Sequence, residues 1–428
     1  MSNPIDRGPL WVSRRSSIEA ADQFPVENPV TGAVIAVVQG GGVVEIDAAV
    51  HAADQACAHD WRWRIQQERG TYLLRCAAVL EQHTDEVAVL EFLRYDKPTS
   101  RTRMFDIPAA VGLFRYFGAL IDKVPGELHD AGSILSSVIP EPHGVVGTII
   151  PFDWPPIHTA GKIGPALAVG STVVEKPGEH APLTVMRMVA LLQSVLPADV
   201  VQVVPGHGPI AAQAVVAHPL AHKISFTGST RAGRAAPKST ADNITPALLE
   251  HGGKNALLVF DDAGLERAVR DALERTYFNQ GEACTASSRF LVQRAVYEEF
   301  VRRLGIGVSR PRVGDGADGA PHVGSLVARV RQRAVLEYLR VGRRRGVQQR
   351  LQPELRRDCT LRRGRAVRLW TGPLCRHVAA IRTSRGDSLS FRTLCSPQLG
   401  GSQRGRCQHR RCWLECRSMR HRRAVVTP

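Results

Sequence analysis

Residues 145–176 read VVGTIIPFDWPPIHTAGKIGPALAVGSTVVEK, and the order of patterns in this stretch decides the fold. Residues 145–150 form a short apolar run that stops at Pro151, as a buried strand does. Residues 160–169 carry helical spacing closed by Gly170, and Thr172-Val173-Val174 begins a second buried strand. Toward the C-terminus the alternation continues, with helix predicted over 183–195, strand over 200–204, helix over 210–217 and strand over 223–226. Toward the N-terminus, 45–60 and 66–93 predict helices, the second as one continuous element. Strands alternating with helices across short Gly/Pro turns predict an α/β fold, a parallel sheet covered on both faces.

Such sheets bind ligands at the carboxyl ends of their strands, so the turns there carry the functional signal. Glu175-Lys176-Pro177-Gly178-Glu179, Pro205-Gly206-His207-Gly208-Pro209 and Phe226-Thr227-Gly228-Ser229-Thr230 follow three successive strands. There is no Gly-x-Gly-x-x-Gly fingerprint, yet a Thr-Gly-Ser turn entering a helix can hold a phosphate on its N–H groups. Each turn alone matches an ordinary βα loop. Three in succession point to a nucleotide site.

The 428 residues suffice for two or three domains, and 43% hydrophobic with 22% charged residues excludes wholesale disorder. No apolar run approaches the ~18 residues of a membrane span, so no membrane partner is expected. The N-terminal Met1–Arg7 stretch lacks a basic-then-apolar leader pattern, and a cytoplasmic location is the expectation. The net charge of +16 suggests nucleic acid, but its distribution argues otherwise. From Val341 onward there are 22 Arg, no Lys and four acids, which leaves 34 basic and 36 acidic residues before it. Six of the nine cysteines also lie beyond that boundary.

Among the earlier cysteines, Cys57 and Cys76 lie on helical patterns among Ala and Leu, where a buried inert thiol is expected. Cys284 lies in the Gly-rich turn Phe278-Asn279-Gln280-Gly281-Glu282-Ala283-Cys284-Thr285, a setting that allows exposure and a depressed thiol pKa. With that turn and Glu250-His251-Gly252-Gly253-Lys254, the chain resembles the NAD(P)-dependent aldehyde dehydrogenase superfamily. Asn28-Pro29-Val30-Thr31-Gly32, Pro142-His143-Gly144-Val145-Val146-Gly147 and the turns at 176–179 and 226–230 support the resemblance, which runs over about residues 25–346.

The resemblance implies a Rossmann-type parallel sheet for the cofactor plus an incomplete α/β catalytic domain. It places an NAD-binding domain at 1–250, with an oligomerisation hairpin at about 120–145, and the first part of the catalytic domain at 251–346. It implies oxidation of a small-molecule aldehyde to a carboxylic acid with NAD. Cys284 would attack the aldehyde, giving a thiohemiacetal and then a thioester, and Glu250 would activate the hydrolytic water. Lys176 and Glu179 would contact the adenosine ribose, the carboxylate favouring NAD over NADP, and Gly228 and Ser229 would lie at the pyrophosphate. No metal is implied.

The chain departs from the family pattern in three places. Asp153, in Pro151-Phe152-Asp153-Trp154-Pro155, stands where the family has an Asn donor to the oxyanion; ionised, it only accepts and repels, unless burial keeps it protonated. His251 stands where the family usually has Leu. Beyond about Gly346 the resemblance stops: the Glu-x-x-Gly-Pro segment that holds the nicotinamide ribose is missing, as is the strand that completes the family's homo-oligomer sheet. Residues 347–428 read as an aberrant, disordered Arg-rich tail of the kind a reading-frame change produces, able to adhere to polyanions. A zinc site from Cys407, His409, Cys412 and Cys416 and an evolved nucleic-acid role are weaker readings of the tail. A catalytically inactive relic, or a nucleotide-binding remnant, stays open as the alternative function.

Overall fold

The computed structural model describes residues 10–13, 16–18, 22–130, 132–308 and 323–327. Strands Leu10–Ser13 (β1) and Ser16–Ile18 (β2) pair antiparallel, as do Asp22–Glu27 (β3) and Val34–Gly40 (β4). Helices Val43–His59 (α1), Gln66–Gln82 (α2), Thr84–Tyr95 (α3) and Ile107–Leu120 (α4) follow. An antiparallel hairpin, Glu127–Asp130 (β5) and Leu135–Val138 (β6), is exposed along both strands.

Strand and helix then alternate: Val145–Ile149 (β7), Pro155–Ala168 (α5), Thr172–Lys176 (β8), Pro182–Gln193 (α6), Val201–Val203 (β9), Gln213–Ala217 (α7), Ala221–Gly228 (β10), Thr230–Thr240 (α8) and Ala247–His251 (β11). These five strands form one parallel sheet in the order β11-β10-β7-β8-β9. Read from β9, the order in chain sequence is third, second, first, fourth, fifth. The order therefore reverses between β7 and β10, which opens a crevice at the carboxyl ends of the strands there.

Every residue of β7, β8 and β9 is buried, as expected for strands covered on both faces. Alternate side chains serve opposite cores: Val146 and Val173 join α2, α4, α5 and α6, while Val145 and Val174 join α1, α7 and α8. Gly170 closes α5 at φ +95°, a left-handed turn that a side chain would resist. β11 ends at His251, and Asn255–Val259 (β12) opens a separate parallel pair with Ser287–Val292 (β13). Leu265–Tyr277 (α9) and Arg294–Val308 (α10) cover that pair through Val259, Val269, Ala272, Val292 and Phe300.

Two sequence expectations are corrected. The helix expected over 66–93 is two helices, because the His83 ring bonds the Val79 carbonyl at 2.8 Å and α3 starts afresh behind it. An apolar element long enough to cross a membrane does exist: the helical run Thr99–Lys123, which includes α4, meets the length and composition test. Its Ile107, Ala110, Val111, Phe114 and Phe117 are buried in the core with α2 and α5, so apolarity here reflects packing between helices.

Residues 323–327 dock on the α3 terminus, where the Ser325 N–H donates to Asp96 Oδ2 at 2.6 Å. Residues 309–322 and 328–346 of the resemblance, the expected tail at 347–428 and its four zinc candidates lie outside the described residues.

Candidate active site

The parallel register aligns the strand ends. Ile149 pairs with Lys176, and Thr227 and Gly228 pair with Glu250 and His251, so β7, β8, β10 and β11 all terminate at one edge. Lys176 is buried there, and desolvation lowers its ammonium to about 8 against the opposing pull of Glu179, whose Oε1 lies 3.9 Å away. Glu179 also accepts the Gly208 N–H and lies 3.8 Å from His207 Nδ1. Gly178 permits this turn to press on the 151–153 loop: a Cβ there would meet the Phe152 nitrogen at 3.0 Å. Gly228 ends β10, and Ser229 caps α8 by accepting the Ala232 N–H at 3.2 Å. Lys176, Glu179, Gly228 and Ser229 thus lie at strand ends on both sides of β7.

Cys284 occupies the turn between α9 and β13, where Asn255 Nδ2 donates to its carbonyl at 2.7 Å. Upstream, Asn279 and Gln280 take left-handed φ values of 51° and 58°, which cost about 1 kcal/mol or more each for residues with side chains. Tertiary hydrogen bonds hold them. Gln280 Nε2 donates to Tyr95 O at 2.8 Å and Ser325 O at 2.7 Å, and Asn279 Nδ2 donates to Asp153 O at 2.5 Å. The Asn279 bond ties the Cys284 turn to the segment that carries Asp153.

Asp153 is buried, and its carboxyl is pushed up to about 6, burial outweighing the N–H groups of Asp153 and Cys284 and the charge of Arg94. Arg94 is itself buried, paired with Glu91 at 2.6 Å and donating to Phe152 O at 3.0 Å. His158 Nε2 lies 3.9 Å from Asp153 Oδ1, and burial lowers that imidazole to about 3, which leaves it neutral near pH 7.

The structure ties the Cys284 turn to the Asp153 segment through the Asn279 bond, and Asp153 and Glu250 both oppose ionisation of the thiol. It also overturns the expectation of a depressed thiol pKa. Burial raises the Cys284 pKa first, and Asp153 and Glu250 raise it further. Glu250 lies on strand β11, and its side chain is exposed. Cys57 and Cys76 are buried on α1 and α2, with thiols pushed up by burial, as inert core thiols should be.

Sequence reasoning missed the polar cluster beneath this edge. Glu175 is fully buried in β8, accepting from Thr159 Oγ1 at 2.7 Å and Thr148 Oγ1 at 3.1 Å, and burial pushes it up to about 7. Lys162 donates to Ser225 Oγ at 2.8 Å and is lowered by burial to about 8, with Glu175 and Glu250 opposing. A Glu inside the apolar strand Thr172–Lys176 was the available signal. An aromatic wall adjoins Asp153: Trp154 stacks on Phe105 at 5.7 Å, and Phe278 meets both edge-on. His251 packs where a Cβ at Gly233 would collide with its ring.

Among the described residues, Asp47, His51 and His218 converge closely enough to suggest a metal site. His218 Nδ1 accepts the Leu220 N–H at 3.1 Å, so Nε2 carries the ring proton and donates to Asp47 at 3.2 Å. That tautomer has no lone pair left for an ion.

The comparisons with known proteins agree with this arrangement. The aldehyde dehydrogenase family profile matches residues 16–368. Aldehyde dehydrogenase citD of Monascus ruber is 50% identical over 333 residues, covering 78% of this chain and 66% of that protein. Retinal dehydrogenase 2 of Homo sapiens is 36% identical over 329 residues, 76% of this chain and 64% of its own length. The chain therefore spans just under two thirds of these curated relatives. The crystal structure of PnpE from Pseudomonas sp. WBC-3 superposes with a TM-score of 0.75 at 36% identity, over 77% of this chain and 69% of that one. An NAD+ complex of a Bacillus cereus aldehyde dehydrogenase superposes equally well, at 35% identity over 77% and 68%. A parallel sheet with a reversed strand order, a cysteine on a turn and a glutamate at a strand end, and this breadth of matching sequence have one common explanation: the chain belongs to the aldehyde dehydrogenase family.

Proposed function

We propose that this protein oxidises a small-molecule aldehyde to the carboxylic acid with NAD, using Cys284 as nucleophile. The observation that supports it most is the strand edge at which Lys176, Gly228 and Glu250 end their strands, with the Asn279 bond tying the Cys284 turn to the Asp153 segment that leaves β7. The cofactor fits these residues. The Glu179 carboxylate and the Lys176 ammonium suit ribose hydroxyls, the charge on Glu179 disfavours a 2′-phosphate, and the α8 N-terminus behind Gly228-Ser229 suits a pyrophosphate. When bound, NAD supplies a hydride acceptor.

The chain's own residues act on either side of that transfer. Cys284 Sγ, as thiolate, bonds to the aldehyde carbon, and the carbonyl π pair moves onto oxygen. The Cys284 N–H is the backbone donor for that oxyanion. After oxidation the carbon remains on sulfur as a thioester. Glu250 takes a proton from a water that attacks it, the C–S bond breaks, and the electron pair returns to sulfur as the acid leaves. The aromatic wall of Phe105, Trp154 and Phe278 gives the substrate side an apolar surface.

A second reading, a nucleotide-binding remnant without turnover, draws support from Asp153 and from the raised Cys284 thiol. One experiment separates the two: calorimetry with NAD beside NADH formation from propanal or benzaldehyde, on the purified full chain. Binding with Cys284-dependent NADH establishes the dehydrogenase. Binding without NADH establishes the remnant, and no binding by folded protein refutes both.

A further inference from the structure

We propose that Asn255 is a positioning residue for Cys284: its side-chain amide clamps the peptide that follows the nucleophile and so fixes where the Thr285 N–H points. The inference rests on the reading of Cys284 as nucleophile and names a residue that holds it in its working orientation.

Three features of the packing support it. The first is the shape of the turn. The Ala286 N–H donates to Ala283 O at 3.0 Å, closing a four-residue turn with Cys284 and Thr285 at its centre. The Cys284–Thr285 peptide is therefore the middle peptide of that turn, the one whose rotation converts a type I turn into a type II turn. Type II needs a positive φ at the third residue, here Thr285, a β-branched residue that does not take one.

The second is the clamp itself. Asn255 Nδ2 donates to Cys284 O at 2.7 Å and to Ala286 O at 3.3 Å, so both of its amide hydrogens are committed to the turn. In a trans peptide the C=O and the N–H point in opposite directions. Holding the Cys284 carbonyl toward Asn255 thus turns the Thr285 N–H the other way. Gly253 leaves the amide its room, since a Cβ there would meet Asn255 Oδ1 at 3.3 Å.

The third is the place of Asn255 in the chain. It opens β12, paired with Ser287, and Gly252, Gly253 and Lys254 alone separate it from the end of β11, which carries Glu250. Arg289 Nε donates to Lys254 O at 2.9 Å and steadies that connection. The Asn279 bond holds the turn from the Asp153 side, and Asn255 holds it from the Glu250 side. The consequence reaches the thiol. Burial, Asp153 and Glu250 oppose its ionisation, whereas the N–H groups of Cys284 and Thr285 favour it. Releasing the clamp gives up the Thr285 contribution and leaves the Cys284 carbonyl free to swing toward the sulfur.

The test is the pH profile of Cys284 alkylation by iodoacetamide on the full chain, read by mass spectrometry. Asn255→Ala is expected to move the midpoint up by about 0.5–1 pH unit, slowing alkylation at pH 8 by about three- to tenfold. Asn255→Gln, which keeps the amide donors, is expected to recover at least half of that loss. NAD affinity by calorimetry should stay within about twofold in both variants. NADH formation from propanal should fall in Asn255→Ala through kcat, with the KM for NAD unchanged. A wild-type midpoint in Asn255→Ala overturns the clamp, whether or not the wild type makes NADH. An equal shift in Asn255→Gln marks a loss of packing alone and also overturns it. A raised midpoint restored by Asn255→Gln upholds the clamp, and if the wild type then makes no NADH, the dehydrogenase reading alone falls. If Asn255→Ala does not fold, Asn255→Leu, close in shape and without a donor, takes its place under the same outcomes.

Discussion

The cofactor edge and the cysteine turn are built on opposite principles. At the edge, β7 and β8 are regular, fully buried strands, and the side chains proposed to face NAD follow from where those strands stop. The turn has no such regularity. Asn279 and Gln280 sit in strained backbone, Asn279 Oδ1 and Gln280 Oε1 are buried without partners, and three separate segments hold the loop in place. The contrast teaches that binding and chemistry rest on separable supports here, so each can be damaged alone.

The largest effect should come from removing the thiol. Cys284→Ser is expected to lower NADH formation by at least about 10³-fold while NAD affinity measured by calorimetry stays within about twofold. A matching loss of NAD affinity would break the claim of separable supports.

Next comes the buried carboxylate under the edge. Glu175 has its pKa raised from 4.5 to about 7, so the folded state holds a proton that the unfolded chain releases. Its contribution to stability is therefore present at low pH and lost as pH rises through that window, on the order of 2–3 kcal/mol. Thermal melts from pH 4.5 to 7.5 should show Glu175→Gln gaining on the wild type as pH increases, and parallel curves would refute the assignment.

Gln280→Ala sharpens the other side. It leaves the buried Tyr95 carbonyl and the half-buried Ser325 carbonyl without the Gln280 donor, at about 1–3 kcal/mol in denaturant unfolding. It should alter Cys284 alkylation and leave NAD affinity alone. Glu179→Gln is expected to weaken NAD by about tenfold and narrow the preference over NADP, with Cys284 alkylation unchanged. Smallest of all, Arg115→Ala removes an exposed 2.6 Å pair with Glu81 and should shift stability by less than ~1 kcal/mol.

Much of the edge can be read from the chain directly. An apolar run such as Val145–Ile149, ended by proline and followed by helical spacing, implies a buried parallel strand because both signals are local, and the strand pattern recurs four times, at 145–150, 172–174, 200–204 and 223–226. Cys284 stands out from Cys57 and Cys76 for the same reason, since helical neighbours mark a core thiol and a glycine-rich turn does not. Where local pattern was a poor guide, tertiary partners had overruled it. His83 divides a helix through one side-chain bond, and the 99–123 run owes its apolarity to α2 and α5 on either side.

Residue identity and spacing thus sufficed for the α/β fold and for setting Cys284 apart from the two core thiols, because both are written in neighbouring residues, whereas the place of Glu250 on strand β11 was not legible there. The state of the site was settled elsewhere. Whether Asp153 is charged, whether Cys284 is a ready thiolate and how Glu175 is tolerated in a strand depend on burial and on charges distant in sequence, such as Arg94, Glu250 and Lys162. Proton affinity is a property of the surrounding medium, and only the folded arrangement of distant segments creates that medium.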